Sequence, residues 1–181
     1  LGRGGMGIVY LVEDQQSARR LALKTLLPQY VAHKHAMHRF VREVRAVRRL
    51  NHPAVVKIHD AQRLGNLMYY TMDYVEGKSL RTWMDQRGRL GIGSTVRILA
   101  LLADALDHAH AFTIHRDLSP ENVMILADGS VRLLDFGLAK ITDQQAAFTM
   151  VGMSLGKLQY IAPEQRANAA AVDKRADIYS L

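Results

Sequence analysis

With 181 residues, 49% of them hydrophobic, and no cysteine, the chain can bury a core as one domain or two small lobes. The lack of cysteine excludes a disulfide scaffold and any thiolate metal site, and suits a reducing compartment. The net charge of +7 lies entirely in residues 1–78, which hold 13 Lys/Arg against 6 Asp/Glu, whereas residues 79–181 hold 11 of each.

The basic excess sits largely on Arg39, Arg42, Arg45, Arg48 and Arg49, spread around the polar side of a helix with no aromatics interleaved for base stacking. It reads as a solvated face and argues against a nucleic-acid partner. No apolar run reaches the roughly 18 residues that cross a bilayer, and no signal peptide precedes the first motif. A cytoplasmic location is expected, with no membrane contact indicated; an anchor elsewhere in a longer parent protein stays open, as does the oligomeric state. A motif begins at once after Leu1, and the sequence stops inside a helical pattern, so the chain is expected to be a fragment truncated at both ends.

In chain order, residues 7–13 and 20–26 are rich in Val, Leu and Tyr and read as antiparallel strands split by a polar turn. Residues 34–50 place Phe40, Val44 and Val47 on one helical face, and Pro53 bars continuation. Residues 55–63 and 67–74 read as strands joined at Gly65-Asn66. The character changes near residues 75–78, taken as the boundary between lobes at 1–75 and 76–181. A short helix follows at 79–87 with Ser79 as N-cap, then a longer one at 94–112, apolar at Val96, Leu99, Leu102, Ala103, Leu106 and Ala109. Residues 123–126 and 131–134 flank Ala127-Asp128-Gly129-Ser130 as a hairpin. Residues 141–158 read as an irregular segment, of a length usually tied to function.

Four segments carry chemistry. Gly2-Arg3-Gly4-Gly5-Met6-Gly7-Ile8-Val9 follows G-x-G-x-x-G-x-V, where glycines let the backbone approach phosphates. A dinucleotide-binding turn would need a helix next, but Val9-Tyr10-Leu11-Val12 continues as a strand, so a glycine-rich hairpin fits better. Lys24 lies on an otherwise apolar strand, either snorkelling at its edge or paired with an acid. Glu43, the one acid between Asp14 and Asp60, is the candidate partner, with Arg39 four residues earlier as its rival. In His115-Arg116-Asp117-Leu118-Ser119-Pro120-Glu121-Asn122, the Asp117 carboxylate can accept a hydroxyl proton and the Asn122 amide oxygen is a hard ligand suited to Mg²⁺. The hairpin then returns Asp135, of Asp135-Phe136-Gly137, to the end where Asn122 lies.

These segments, closed by Ala162-Pro163-Glu164, resemble in their order the signature of the protein kinases, and in detail the bacterial, eukaryotic-like serine/threonine kinases. The resemblance implies an α+β bilobal fold: a small antiparallel-sheet N-lobe with one key helix, and an incomplete, mainly helical C-lobe. It implies transfer of the ATP γ-phosphoryl group to Ser/Thr hydroxyls of protein substrates, with Mg²⁺, or alternatively Mn²⁺, as the metal. Residue by residue, Gly2, Gly4 and Gly7 would cover the phosphates, Val9 and Ala22 would pack on adenine, and Lys24, paired with Glu43, would hold the α- and β-phosphates. Met72 would be the gatekeeper, and the backbone from Asp73 through Val75 would meet the adenine edge. Asp117 would be the catalytic base, Asn122 and Asp135 the metal ligands, and Asp177 the helix acid anchoring the catalytic loop. Arg116 resembles kinases activated by activation-loop phosphorylation, with Thr149 and then Ser154 as candidate phosphosites.

Two positions depart from the family pattern. Ser119 stands where the family usually has a γ-phosphate-contacting Lys, and Lys157 stands where it usually has a Thr bonded to the catalytic Asp. One reading is a relocated cation, with Lys157 serving the γ-phosphate; the other is two losses in an ATP-binding pseudokinase acting as a signalling interaction module. A tyrosine or small-molecule kinase and a nucleic-acid-binding module complete the alternatives.

Overall fold

Alternating apolar residues in short runs, each ended by a polar turn, build the first sheet. The computed structural model describes residues 1–4, 7–27, 34–65, 67–136, 155–167 and 172–181. They divide into two compact units, one drawn from residues 1–49 and 57–74, the other from residues 50–56, 75–136 and 155–181.

In the first unit, β1 (Gly2–Gly4), β2 (Gly7–Glu13), β3 (Arg20–Leu26), β4 (Ile58–Leu64) and β5 (Leu67–Asp73) form an antiparallel sheet in the order β1-β2-β3-β5-β4. The Asp14 carboxylate shapes the β2–β3 turn by accepting from the backbone N–H of Ser17 at 2.8 Å and of Gln16 at 3.0 Å. Helix α1 (Lys34–Arg48) buries Phe40, Val44 and Val47, the face expected from their spacing. The Phe40 ring meets Tyr70 of β5 at 6.2 Å between centroids. The helix ends before the expected residue 50, and β4 begins at Ile58 rather than at 55. The cause is one local arrangement: Val56 N–H donates to the Leu133 carbonyl at 3.0 Å and Leu133 N–H to Ala54 at 2.7 Å. These bonds tie residues 50–56 into the second unit.

That second unit contains β6 (Gly77–Ser79), α2 (Leu80–Arg87), α3 (Ile92–His110), β7 (Val123–Leu126), β8 (Val131–Leu133), α4 (Pro163–Ala167) and α5 (Arg175–Ser180). Two 3₁₀ turns, Pro120–Asn122 and Leu155–Tyr160, complete it; the latter gives regular structure to the end of the segment expected to be irregular. Strands β6, β7 and β8 pair antiparallel in that order. Ser79 caps α2, its side chain accepting from Thr82 N–H at 3.1 Å, as expected from the sequence. The β7–β8 turn relies on Gly129 at φ +78°, a conformation that disfavours a side chain.

Helix α3 corrects the apolar face read from the sequence. Leu102, Ala105, Leu106 and Ala109 are buried, a stripe at i, i+3, i+4 and i+7, while Val96 and Leu99 are 60% and 37% exposed. The stripe starts at Leu102 rather than Val96, nearly two turns later than expected, and Ala105 replaces Ala103 on it. Beside it the interior holds Leu118, Val123, Val131, Leu133 and Phe136.

Candidate active site

Within the first unit, the glycine-rich segment is a hairpin, with Gly2 opposite Val9 and Gly4 opposite Gly7. Gly7 also lies against β3, where a Cβ would collide with the carbonyl oxygen of Thr25. Close strand packing therefore requires this glycine. Lys24 lies opposite Val9 on one side and Tyr70 on the other. Ala22 is buried opposite Met72, which is also buried. Glu43, on α1, has a mostly buried side chain at 3.5 Å from Arg42. Asp73 ends β5, with His59 Nε2 at 2.7 Å and Arg19 at 3.6 Å from its carboxylate.

The second unit carries the densest polar network. Asp177, at 0% exposure, is surrounded by donors: its carboxylate accepts from the backbone N–H groups of His115 and Arg116, each at 2.8 Å, and from His110 Nε2 at 2.9 Å. A buried carboxylate is tolerated only when its oxygens are satisfied in this way. Gln165 Nε2 donates to the Arg116 carbonyl at 2.7 Å. Arg116 is thus gripped at both ends of its backbone while it adopts φ +63°. Such a conformation costs a non-glycine residue on the order of 1–3 kcal/mol and persists only where its surroundings enforce it.

His115 is fully buried and its protonation state follows from its partners. Nδ1 accepts from Asp117 N–H at 3.2 Å, and Nε2 donates to the Leu134 carbonyl at 2.9 Å. Burial pushes its imidazole below the ordinary range, against the opposing pull of Asp177. The neutral ring, 4.7 Å from Phe136 between centroids, joins the segment before Asp117 to the one before Asp135.

Asp117 emerges from this support. Asn122 Nδ2 donates to its carbonyl at 2.7 Å and to its Oδ2 at 3.0 Å. Leu134 N–H donates to the Asn122 carbonyl at 2.8 Å, so Asp135 follows directly beside Asn122, with φ +48°. With its nitrogen committed to Asp117, Asn122 is oriented to offer its oxygen as a ligand. Asn122 and Asp135 could together offer two hard oxygen donors, a donor chemistry that fits Mg²⁺. Among the described residues, no group of three His, Cys, Asp or Glu side chains is placed to hold a metal by itself.

Lys157 Nζ lies 3.3 Å from Asp117 Oδ2. Ser119 is buried two residues beyond Asp117. Burial opposes ionisation of nearby Glu121, but its own backbone N–H, the Ser119 hydroxyl and the Arg81 guanidinium hold its carboxyl below the usual range. Arg81 bonds Glu121 at 3.1 Å and reaches the Tyr160 hydroxyl at 3.4 Å, coupling α2 to both 3₁₀ turns. Arg81 and Tyr160 were not singled out from the sequence; Glu121 lies within the quoted His115–Asn122 motif and Gln165 directly follows Ala162-Pro163-Glu164, but their side-chain partners could not be read there. Gly137, Thr149 and Ser154 lie outside the described residues.

An anchored carboxylate beside an amide and a second carboxylate that could hold a metal is an arrangement suited to phosphoryl transfer. The chain belongs to the protein kinase family, whose domain profile matches residues 1–181. Serine/threonine-protein kinase PknD of Mycobacterium tuberculosis is 40% identical over 182 residues, covering 100% of this chain and 27% of the relative. Serine/threonine-protein kinase Pkn1 of Myxococcus xanthus is 38% identical over 186 residues, covering 100% and 26%. The chain thus spans about a quarter of the length of these relatives. The crystal structure of the M. tuberculosis PknI kinase domain matches with a TM-score of 0.79 at 35% identity, over 99% of this chain and 66% of that one. The α+β kinase fold expected from the motifs is the fold observed. Among the described residues, no helix is long and apolar enough to cross a membrane.

Proposed function

We propose that the protein is a serine/threonine kinase that transfers the γ-phosphoryl group of ATP to protein hydroxyls. The observation that carries this reading is the anchored Asp117: its backbone is fixed through His115, Arg116 and Asp177, and its carboxylate is aligned by Asn122. In the reaction, the substrate hydroxyl oxygen bonds to the γ-phosphorus while the bond to the β,γ-bridging oxygen breaks. That electron pair leaves with ADP, and the hydroxyl proton passes to Asp117. Asn122 and Asp135 would hold Mg²⁺, which neutralises charge on the phosphates when bound. In the first unit, Gly2, Gly4 and Gly7 would cover the phosphates, Lys24 with Glu43 would hold them, and Val9, Ala22, Met72 and the backbone from Asp73 through Val75 would receive adenine. Activation through phosphorylation of Thr149 or Ser154, read by Arg116, belongs to the same proposal.

The test uses the full-length protein with Mg²⁺, labelled ATP and a generic protein acceptor. Wild type should label serine and threonine, and Asp117→Asn should lose on the order of 10²–10⁴-fold in rate. A wild type that binds ATP and transfers nothing refutes the proposal. That outcome would favour an ATP-binding interaction module, the reading that Ser119 and Lys157 support as departures from the family pattern.

A further inference from the structure

The geometry points to Lys157 as a catalytic cation for the transferred phosphoryl group, an inference that rests on the kinase reading above. Its ammonium lies 3.3 Å from Oδ2 of Asp117, the oxygen that also accepts from Asn122 at 3.0 Å. The side chains are 24% and 16% exposed, so the pair is only partly open to screening by water. The turn bearing Lys157 is held on its C-terminal side. Tyr160 receives the Arg81 guanidinium at its hydroxyl and the Ser180 hydroxyl at its carbonyl, at 3.4 and 2.6 Å, and the following Ile161 and Ala162 are buried.

A cation beside a general base is unproductive if that is all it does, because it competes with the proton the base must accept. The pairing makes sense if the ammonium turns to a charge that forms in the reaction. A substrate hydroxyl bonded to Asp117 must sit about 3 Å from the carboxylate, and the phosphorus it attacks about 3–3.5 Å farther on. An ammonium has three donors, of which Asp117 takes one. The flexible four-carbon stem of lysine brings the others to the phosphoryl oxygens by rotation. Proton transfer to Asp117 then weakens its hold on Lys157 as negative charge is handed to ADP and phosphoprotein. No bond to Lys157 forms or breaks; it balances charge. Ser119, where the family pattern carries a cation, is neutral and buried. The charge therefore enters the site from the Leu155–Tyr160 turn.

The test measures kcat, KM for ATP and nucleotide affinity separately, using the full-length protein and Lys157→Met, which keeps much of the stem's bulk and removes the charge. The expected result is a fall in kcat of about 10²-fold or more, with ATP affinity changed less than threefold. Lys157→Arg should retain at least a tenth of wild-type kcat. Adding Ser119→Lys to Lys157→Met should recover at least tenfold, because the cation returns to the same chemistry from the other side. The thermal midpoint of each variant separates loss of charge from loss of fold. An active wild type with Lys157→Met within threefold of it, or faster, overturns the inference and leaves the kinase reading intact. So does a loss that Ser119→Lys fails to rescue in a folded protein, which would reduce Lys157 to positioning Asp117. A wild type with no transfer refutes the kinase reading itself, and this inference falls with it.

Discussion

Asp177→Asn tests whether the loop bearing Asp117 depends on one buried carboxylate. The wild-type side chain accepts three hydrogen bonds: two from backbone N–H groups at 2.8 Å and one from His110 at 2.9 Å. Hydrogen bonds to a charged group contribute about 1.5–3 kcal/mol each. Asparagine keeps one acceptor oxygen and turns a donor toward a donor, so at least one such bond is lost and one N–H is left buried without a partner. The expected cost is about 3 kcal/mol. With a urea m-value of about 2 kcal/mol/M, the unfolding midpoint of the full kinase domain should fall by about 1.5 M. Phosphoryl transfer should fall as well, because Arg116 at φ +63° loses the acceptor of its backbone N–H. A cost below about 0.5 kcal/mol, with activity unchanged, would show that the loop holds its conformation without Asp177.

Stability should also depend on pH through His115, whose imidazole burial holds below its ordinary value of 6.5. The unfolded chain binds a proton near pH 6.5 and the folded one does so only lower, so stability is complete above about pH 6.5 and declines as pH falls toward the folded value. Urea midpoints measured from pH 7.5 downward should show this decline in wild type and a shallower one in a folded His115→Asn variant; equal slopes refute it. Gln165→Ala removes the amide that meets the Arg116 carbonyl at 2.7 Å and should cost about 1–3 kcal/mol, read by denaturation, with a fall in kcat. Gln165→Glu should not rescue it, since a carboxylate cannot donate to a carbonyl; full activity in both variants would exclude a role for Gln165 in holding the loop.

Strand and helix types follow from local pattern, which explains how far they were legible in the sequence. The runs at Gly7–Glu13 and Arg20–Leu26 alternate and end in polar turns, and both strands formed over those residues. Ser79 could be read as a cap because capping is decided within four residues. The sequence also identified Asp117, Asn122 and Asp135 as candidates, since their spacing around one hairpin is itself the motif. Tertiary packing decided what depends on distant partners. Residues 54–56 left the expected strand because Leu133 supplies their hydrogen-bond partners. The buried face of α3 begins at Leu102 rather than Val96 because burial is set by what packs on a helix, not by its apolar residues alone. The partners of Gln165, Arg81 and Tyr160 carry no local signal, because each acts on a residue 40 or more positions away. Lys157 could be singled out in the sequence by its departure from the family pattern, but only the fold brings it against the carboxylate of Asp117, because attraction between charges depends on their separation in space rather than along the chain.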